Sequence, residues 1–279
     1  MEINWFPGHM AKSSREIEAN LSVSDCVIYV LDCRAVRSCF NPTFDRIINV
    51  PVVYVLNKAD TVPQEVAAAW VRALGVNGNT ALATDGTDSS TRKRLLGAVR
   101  SVCSPTLEKQ RKRGLNEHLR AMVVGVPNTG KSTLINSLCG KARLDTGNKA
   151  GVTRSVKWAR VDSTLDVLDT PGTLYPKISD RKTGENLAVI GSIRDEVLSA
   201  PELAVALIDR LNAIDPDILA NRFGRALTAT YDGLEAAAVA RGYKMRGGLP
   251  DADRAAAALI DDFRKGRLGK IALECADAE

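Results

Sequence analysis

The 279-residue sequence predicts an α/β protein with a mostly parallel sheet, helices on both faces, and an all-helical region after it. Three observations carry this. Short β-rich runs alternate with helical patterns along the first part of the chain. A glycine-rich loop stands between one such run and a helix. Beyond residue 177 the apolar spacing is helical only. In chain order the pattern gives a helix near 10–21, strands at 27–31 and 52–56, a helix at 64–74, and a strand at 80–83. A helix at 91–102, a strand at 122–124 and a helix at 131–140 follow. Residues 156–161 and 164–168, joined by Asp162-Ser163, read as a hairpin that adds an antiparallel edge strand to the sheet. The polar stretch from Tyr175-Pro176-Lys177 to Lys182 is the expected junction, dividing the chain into 1–178 and 179–279. From Gly184 the spacing of Leu187, Ile190, Ile193 and Val197 is helical. The same holds for Leu203, Leu207, Ile208 and Leu211, with Pro201 suited to a first helical turn. Residues 255–265 give another helix, stopped by Gly266.

The apolar runs at 26–31 and 50–56 are far shorter than the ~20 residues that cross a bilayer, and both lie in strand-like patterns. The N-terminus has neither a secretory nor a transit layout, so a cytoplasmic protein with no membrane partner is expected. Six cysteines without a C-x-x-C pair, and only two histidines, argue against zinc and for small buried thiols in a reducing compartment. The net charge of +5 is uneven: residues 92–120 hold nine Lys and Arg against Glu108 and Glu117. Alone, that run reads equally as a solvated face or as a surface for a compact polyanion.

Gly125-Val126-Pro127-Asn128-Thr129-Gly130-Lys131-Ser132 fits the eight-position phosphate-loop pattern in its proper context, after a strand and opening a helix that begins with Thr133. Its backbone N–H groups can cradle phosphates, Lys131 can reach the β- and γ-phosphates, and the Ser132 hydroxyl can ligate magnesium. Asn57-Lys58-Ala59-Asp60 ends an apolar strand, at the sheet edge where open α/β folds bind ligands. Asp60 can accept from the N1–H and 2-amino group of guanine, which adenine cannot offer. Thr84-Asp85 would be a second base contact. Asp169-Thr170-Pro171-Gly172 ends the hairpin; Asp169 would approach magnesium through water and the Gly172 N–H would meet the γ-phosphate. Thr153, between the two motifs, is either a magnesium-binding hydroxyl or an ordinary loop threonine. The guanine reader thus precedes the phosphate loop, the reverse of the ordinary GTPase order. All parts of a GTP/GDP site are present, but in permuted sequence.

Several motifs in this order resemble the circularly permuted ribosome-assembly GTPases. They include Trp5-Phe6-Pro7-Gly8-His9-Met10-Ala11-Lys12, Asp32-Cys33-Arg34, Asn41-Pro42, Gly151-Val152-Thr153 and Gly247-Gly248-Leu249, besides the nucleotide motifs. The resemblance implies a permuted P-loop GTPase domain followed by a helical RNA-contacting domain. It also implies GTP hydrolysis during late assembly of the large ribosomal subunit, as a release switch, by a monomer bound to a subunit precursor and its ribosomal RNA. It assigns His9 as the residue that orients water and Asn128 as a potassium ligand. The basic run at 92–120 and Arg241, Lys244, Arg246, Arg264, Lys265, Arg267 and Lys270 then become expected phosphate contacts. Thr173 stands where many GTPases carry a water-orienting glutamine, so the isolated chain is expected to hydrolyse slowly. A nucleotide-gated RNA-binding scaffold with incidental hydrolysis is the alternative. Small-subunit assembly is weakened by the lack of a zinc cluster or added RNA-binding module.

Overall fold

The computed structural model describes residues 8–85, 88–140, 157–175, 177–194 and 198–276, with backbone alone for 8–14 and 89. Six strands form one sheet in the order β3-β2-β1-β4-β6-β5. Their spans are β1 (Cys26–Asp32), β2 (Val52–Asn57), β3 (Thr80–Ala83), β4 (Leu119–Val124), β5 (Lys157–Arg160) and β6 (Leu165–Asp169). All neighbours are parallel except β5, which pairs antiparallel with β6 at the edge. Val27 lies opposite both Val52 and Met122, and every residue of β1 is buried, as a central parallel strand requires. The β5–β6 turn is closed by Val161 N–H on the Leu165 carbonyl (3.0 Å), and the Asp162 carboxylate accepts from the backbone and hydroxyl of Thr164 (2.7 and 2.8 Å).

One face carries Tyr29, Leu31, Leu56, Met122, Val124 and Leu168, covered by α1 (Gly8–Leu21) through Ile17 and Leu21, α2 (Pro42–Ile47) through Phe44 and α3 (Gln64–Leu74) through Ala67 and Trp70. The other carries Ile28, Val30, Val53, Val55, Val123 and Val167 under α4 (Ser89–Val102) and α6 (Lys131–Cys139). α5 (Ser104–Lys112) continues α4 along the surface with no residue fully buried. Neither α2 nor α5 shows in the sequence pattern. α2 is a six-residue turn started by the Asn41 side chain accepting from Thr43 N–H (3.0 Å), and α5 is too polar to carry an apolar stripe.

The remaining helices are α7 (Arg181–Val189), α8 (Ala200–Ile214), α9 (Asp217–Phe223), α10 (Tyr231–Arg241) and α11 (Ala252–Arg264). α11 packs against both α8 and α10, and their apolar residues join the core of the first sheet face. The helix expected to run on past Ile190 ends earlier. Gly191 adopts φ +82°, Ser192 N–H bonds the Leu187 carbonyl (2.7 Å) and Gly191 N–H the Ala188 carbonyl (2.9 Å). That is a left-handed C-terminal cap, so Ile193 follows a turn; Val197 lies outside the described residues. Among the described residues no helix is long and apolar enough to cross a membrane, no cluster of three His, Cys, Asp or Glu occurs, and all six cysteines are free thiols.

Candidate nucleotide site

The carboxyl ends of β1, β2, β4 and β6 converge where the strand order turns from β1 toward β2 on one side and from β4 toward β6 on the other. Such a switch point opens a crevice for a ligand. The phosphate loop leaves β4 there and runs into α6. Gly125, Asn128 and Gly130 take φ +148°, +61° and +93°, turning the loop tightly enough for its amides to converge. Lys131 is buried; its ammonium donates to the carbonyls of Gly125 (3.0 Å) and Val126 (2.8 Å). Burial pushes its pKa down to about 8 against the pull of Asp169. The Thr129 hydroxyl donates to the Val126 carbonyl (3.1 Å), while Thr133 faces out on α6. The Ser132 hydroxyl lies 3.3 Å from Asp169 Oδ2, and Asp169 is 1% exposed.

The guanine-loop residues meet this loop directly. Asn57 Nδ2 donates to the Thr129 carbonyl (2.8 Å), and its Oδ1 accepts from Thr84 (3.3 Å). Lys58, at φ +59°, donates from Nζ to the Asn128 carbonyl (3.0 Å) and to Asp32 Oδ2 (2.7 Å). Ala59 N–H takes the Thr84 carbonyl (2.9 Å), which seats the 59–61 turn beside the end of β3. Asp60 is exposed on that turn, and Asp85 follows Thr84, accepting from Asp88 N–H. From the other side Gly172 closes on the loop: a Cβ there would lie 2.6 Å from Pro127 Cα and 3.0 Å from Lys131 Nζ.

Two features escape sequence reasoning. Asp32 at the end of β1 is fully buried and gripped by Arg34, whose Nε and Nη2 donate to its two oxygens (2.9 and 2.7 Å). Burial alone would raise the Asp32 pKa, but the charges of Arg34 and Lys58 and their hydrogen bonds outweigh it and hold the carboxyl well below its usual range. Asn128 and Pro127 are held from behind by the turn after α7, through Asn128 Nδ2 on the Gly191 carbonyl (2.6 Å) and Ser192 Oγ on the Pro127 carbonyl (2.7 Å). The Asp32-Cys33-Arg34 motif is the available signal for the first; nothing local signals the second.

Thr173 is fully buried and its Oγ1 has no hydrogen-bond partner among the described residues. His9 lies on α1, its side chain outside those described, and Thr153 lies outside the described residues. Of the basic residues expected to meet phosphates, Arg241 and Arg267 pair with Asp262, Lys265 and Arg267 with Asp261, and Arg264 with the Ala188 and Val189 carbonyls. Lys244, Arg246 and Lys270 are exposed.

A family model described as a 50S ribosome-binding GTPase matches residues 120–228. Ribosome biogenesis GTPase A of Priestia megaterium is 34% identical over 98% of this chain and 97% of its own, and that of Thermotoga maritima is 28% identical over 98% and 94%. A solved structure of GNP-bound YlqF from T. maritima is 26% identical and covers 96% of this chain and 100% of its own, at a TM-score of 0.66; a GDP-bound YlqF structure gives 0.67. With the permuted motifs gathered at one sheet edge and a 34% identical relative along nearly its whole length, the chain belongs to the ribosome biogenesis GTPase A family.

Proposed function

We propose that this GTPase binds GTP with magnesium at the β1/β4 crevice, hydrolyses it to GDP and phosphate, and uses that step to leave a late precursor of the large ribosomal subunit. The carrying observation is the direct bonding of the guanine loop to the phosphate loop, Asn57 to Thr129 and Lys58 to Asn128. Two motifs far apart in sequence thereby form one pocket edge. Asp60 reads guanine, Thr84 and Asp85 flank the base, and residues 128–133 hold the phosphates with Lys131 turned from its carbonyls onto them. The Gly172 N–H meets the γ-phosphate.

The hard oxygens of Ser132 and Asp169, 3.3 Å apart, suit a small hard cation, with Thr153 completing the set. Bound there, magnesium would offset charge on the phosphate oxygens. Asn128 is the proposed potassium ligand: with Nδ2 committed to Gly191, its amide oxygen is the group a cation takes. His9 is the proposed water-orienting residue, which fits a buried Thr173. The helical part, 179–279, meets ribosomal RNA through its exposed cations, and the protein acts as a cytoplasmic monomer.

The test is phosphate release from GTP by the pure protein in potassium buffer, alone and with large or small ribosomal subunits. Stimulation by large subunits alone is expected. Tight GTP binding with no stimulation by either subunit would overturn the release-switch reading and favour a nucleotide-gated scaffold.

A further inference from the structure

The crevice is tied to the helical part of the chain by a closed ring of polar contacts that the hydrolytic chemistry does not require. Lys58 Nζ bridges Asp32 and the Asn128 carbonyl. Asp32 is clamped by Arg34, whose Nη1 reaches on to the carbonyls of Phe263 (3.3 Å) and Arg264 (3.1 Å) at the end of α11, with its guanidinium 5.2 Å above the Phe263 ring. Arg264 turns back to α7, donating from Nε to Val189 O (3.0 Å) and from Nη2 to Ala188 O (2.8 Å), just before the turn whose Gly191 carbonyl accepts from Asn128. The chain beyond α11 is strapped to the same loops, with Ile271 N–H on the Thr61 carbonyl and Leu273 N–H on the Arg34 carbonyl, both 2.8 Å.

Two members of the ring touch both sides at once, Asn128 through Gly191 and Arg34 through the end of α11, and Arg34 is the one that does so with a charged side chain. Its planar fork satisfies Asp32 with two nitrogens and spends the third on α11, a division of donors that a lysine cannot copy. Because Arg34 is 1% exposed and Asp32 fully buried, neither can relax into water if the other side moves. Displacing the end of α11 would free the Arg34 fork, loosen Asp32 and so release Lys58 from the position in which it braces the phosphate loop.

We propose that Arg34 is a positioning residue that couples nucleotide affinity to the docking of residues 263–274. This rests on the reading of Lys58 and the phosphate loop as the nucleotide site. Coupling is reciprocal: whatever draws the helical part away lowers nucleotide affinity, and nucleotide in the crevice holds the strap down by the same factor. Subunit contact through the helical part would reach the crevice by this route.

The test is amide hydrogen exchange on the full chain with and without GDP, together with the GDP dissociation constant, in the unaltered protein and in Asp32→Asn/Arg34→Gln. The double variant removes both buried charges together, so it avoids stranding one. GDP is expected to slow exchange across 263–274 in the unaltered protein. The double variant should bind GDP at least about fivefold more weakly, the lower end of ordinary coupling, and lose that slowing. Arg34→Lys, which keeps the charge without the fork, should not restore it. A strap that ignores GDP in the unaltered protein overturns the coupling whether or not the variant folds. So does a folded double variant with unchanged affinity and response. Failure of the unaltered chain to bind GDP at all would instead remove the nucleotide reading, and this proposal with it.

Discussion

At the scale of single residues the crevice is defined by close approaches that leave no room for a methyl group. A Cβ on Gly172 would stand 2.6 Å from Pro127 Cα and 2.8 Å from Pro127 N, both backbone atoms that cannot step aside. Gly172→Ala should push the phosphate loop outward, costing about 1–3 kcal/mol as overpacking does, and weaken GTP binding at least tenfold while the fold persists. Titration with a fluorescent GTP analogue alongside a thermal melt measures both, and unaltered affinity would show that Gly172 does not set the loop. Asp60 makes the opposite demand, since it sits exposed with its carboxylate available to a base. Asp60→Asn should move preference from guanosine to xanthosine nucleotides, and retained GTP selectivity in competition binding would sink the base assignment. Thr173→Gln tests the burial of that position. A glutamine there would be forced into the core, so intrinsic hydrolysis should not rise and the melting temperature should fall; a faster rate would mean the side chain reaches the crevice after all. Asn57, Lys58, Lys131 and Asp169 stand out in the sequence because phosphate and guanine chemistry restricts residue type at fixed short spacings, and the structure gathers them at one sheet edge. The burial of Thr173 and the grip of Arg34 on α11 are not, since each depends on partners distant in the chain.

At the scale of elements β1 and β2 are legible to within a residue, because central parallel strands must be apolar throughout, whereas β4 begins at Leu119, three residues before the 122–124 that its apolar run shows, because the exposed Arg120 interrupts that run. Among the helices with an apolar stripe, α3, α8 and α11 are legible, whereas α9, only seven residues long, and α10, whose buried face is mostly alanine and glycine, do not show in the sequence pattern. Those held by a cap or by continuation of a neighbour, α2 and α5, leave no stripe to see, and α7 ends where Gly191 imposes a cap that apolar spacing does not encode. The same reasoning revises the basic residues of the tail. Asp262 on α11, with a side chain 5% exposed, binds Arg222, Arg241 and Arg267, and so joins α9, α10 and the chain after α11. Burial raises its pKa, but the hydrogen bonds from Arg222 and Arg267 and the charges of Arg222 and Arg241 prevail, and the result lies below the ordinary carboxylate value. A carboxyl held lower in the folded than in the unfolded state stabilises above its unfolded pKa, near 3.9, and loses that contribution as pH falls through its folded one. Asp262→Asn should therefore lower stability by about 2 kcal/mol at neutral pH and by progressively less below about pH 4. Thermal melts across that range read the difference, and a penalty that stays constant with pH would mean the arginines act by packing rather than charge.

At the scale of the whole molecule the permutation costs the fold little, because the sheet neighbours β1, β2 and β4 meet at the same crevice whichever enters the chain first. It does place the guanine loop ahead of the phosphate loop and leaves the chain after β6 free to run directly into helices packed on the sheet face near that crevice. Charge is then divided in two. Arg241, Arg264 and Arg267 hold the helical part together, whereas Lys244, Arg246 and Lys270 lie exposed, with Lys244 and Arg246 on the turn closed by Met245 N–H on the Leu249 carbonyl. The second group, which lies exposed, is the one proposed to meet the phosphates of ribosomal RNA. Lys244→Ala/Arg246→Ala should leave GTP affinity and melting temperature unchanged, weaken association with large subunits, and lower the slope of log affinity against log salt by roughly 0.7–0.9 for each phosphate no longer neutralised. Sedimentation with large subunits over a salt series measures that slope. An identical slope would remove this turn from the RNA-facing surface and turn attention to the exposed cations of α4 and α5. Weakened binding with an unchanged slope would mean that the turn meets its partner by shape rather than charge.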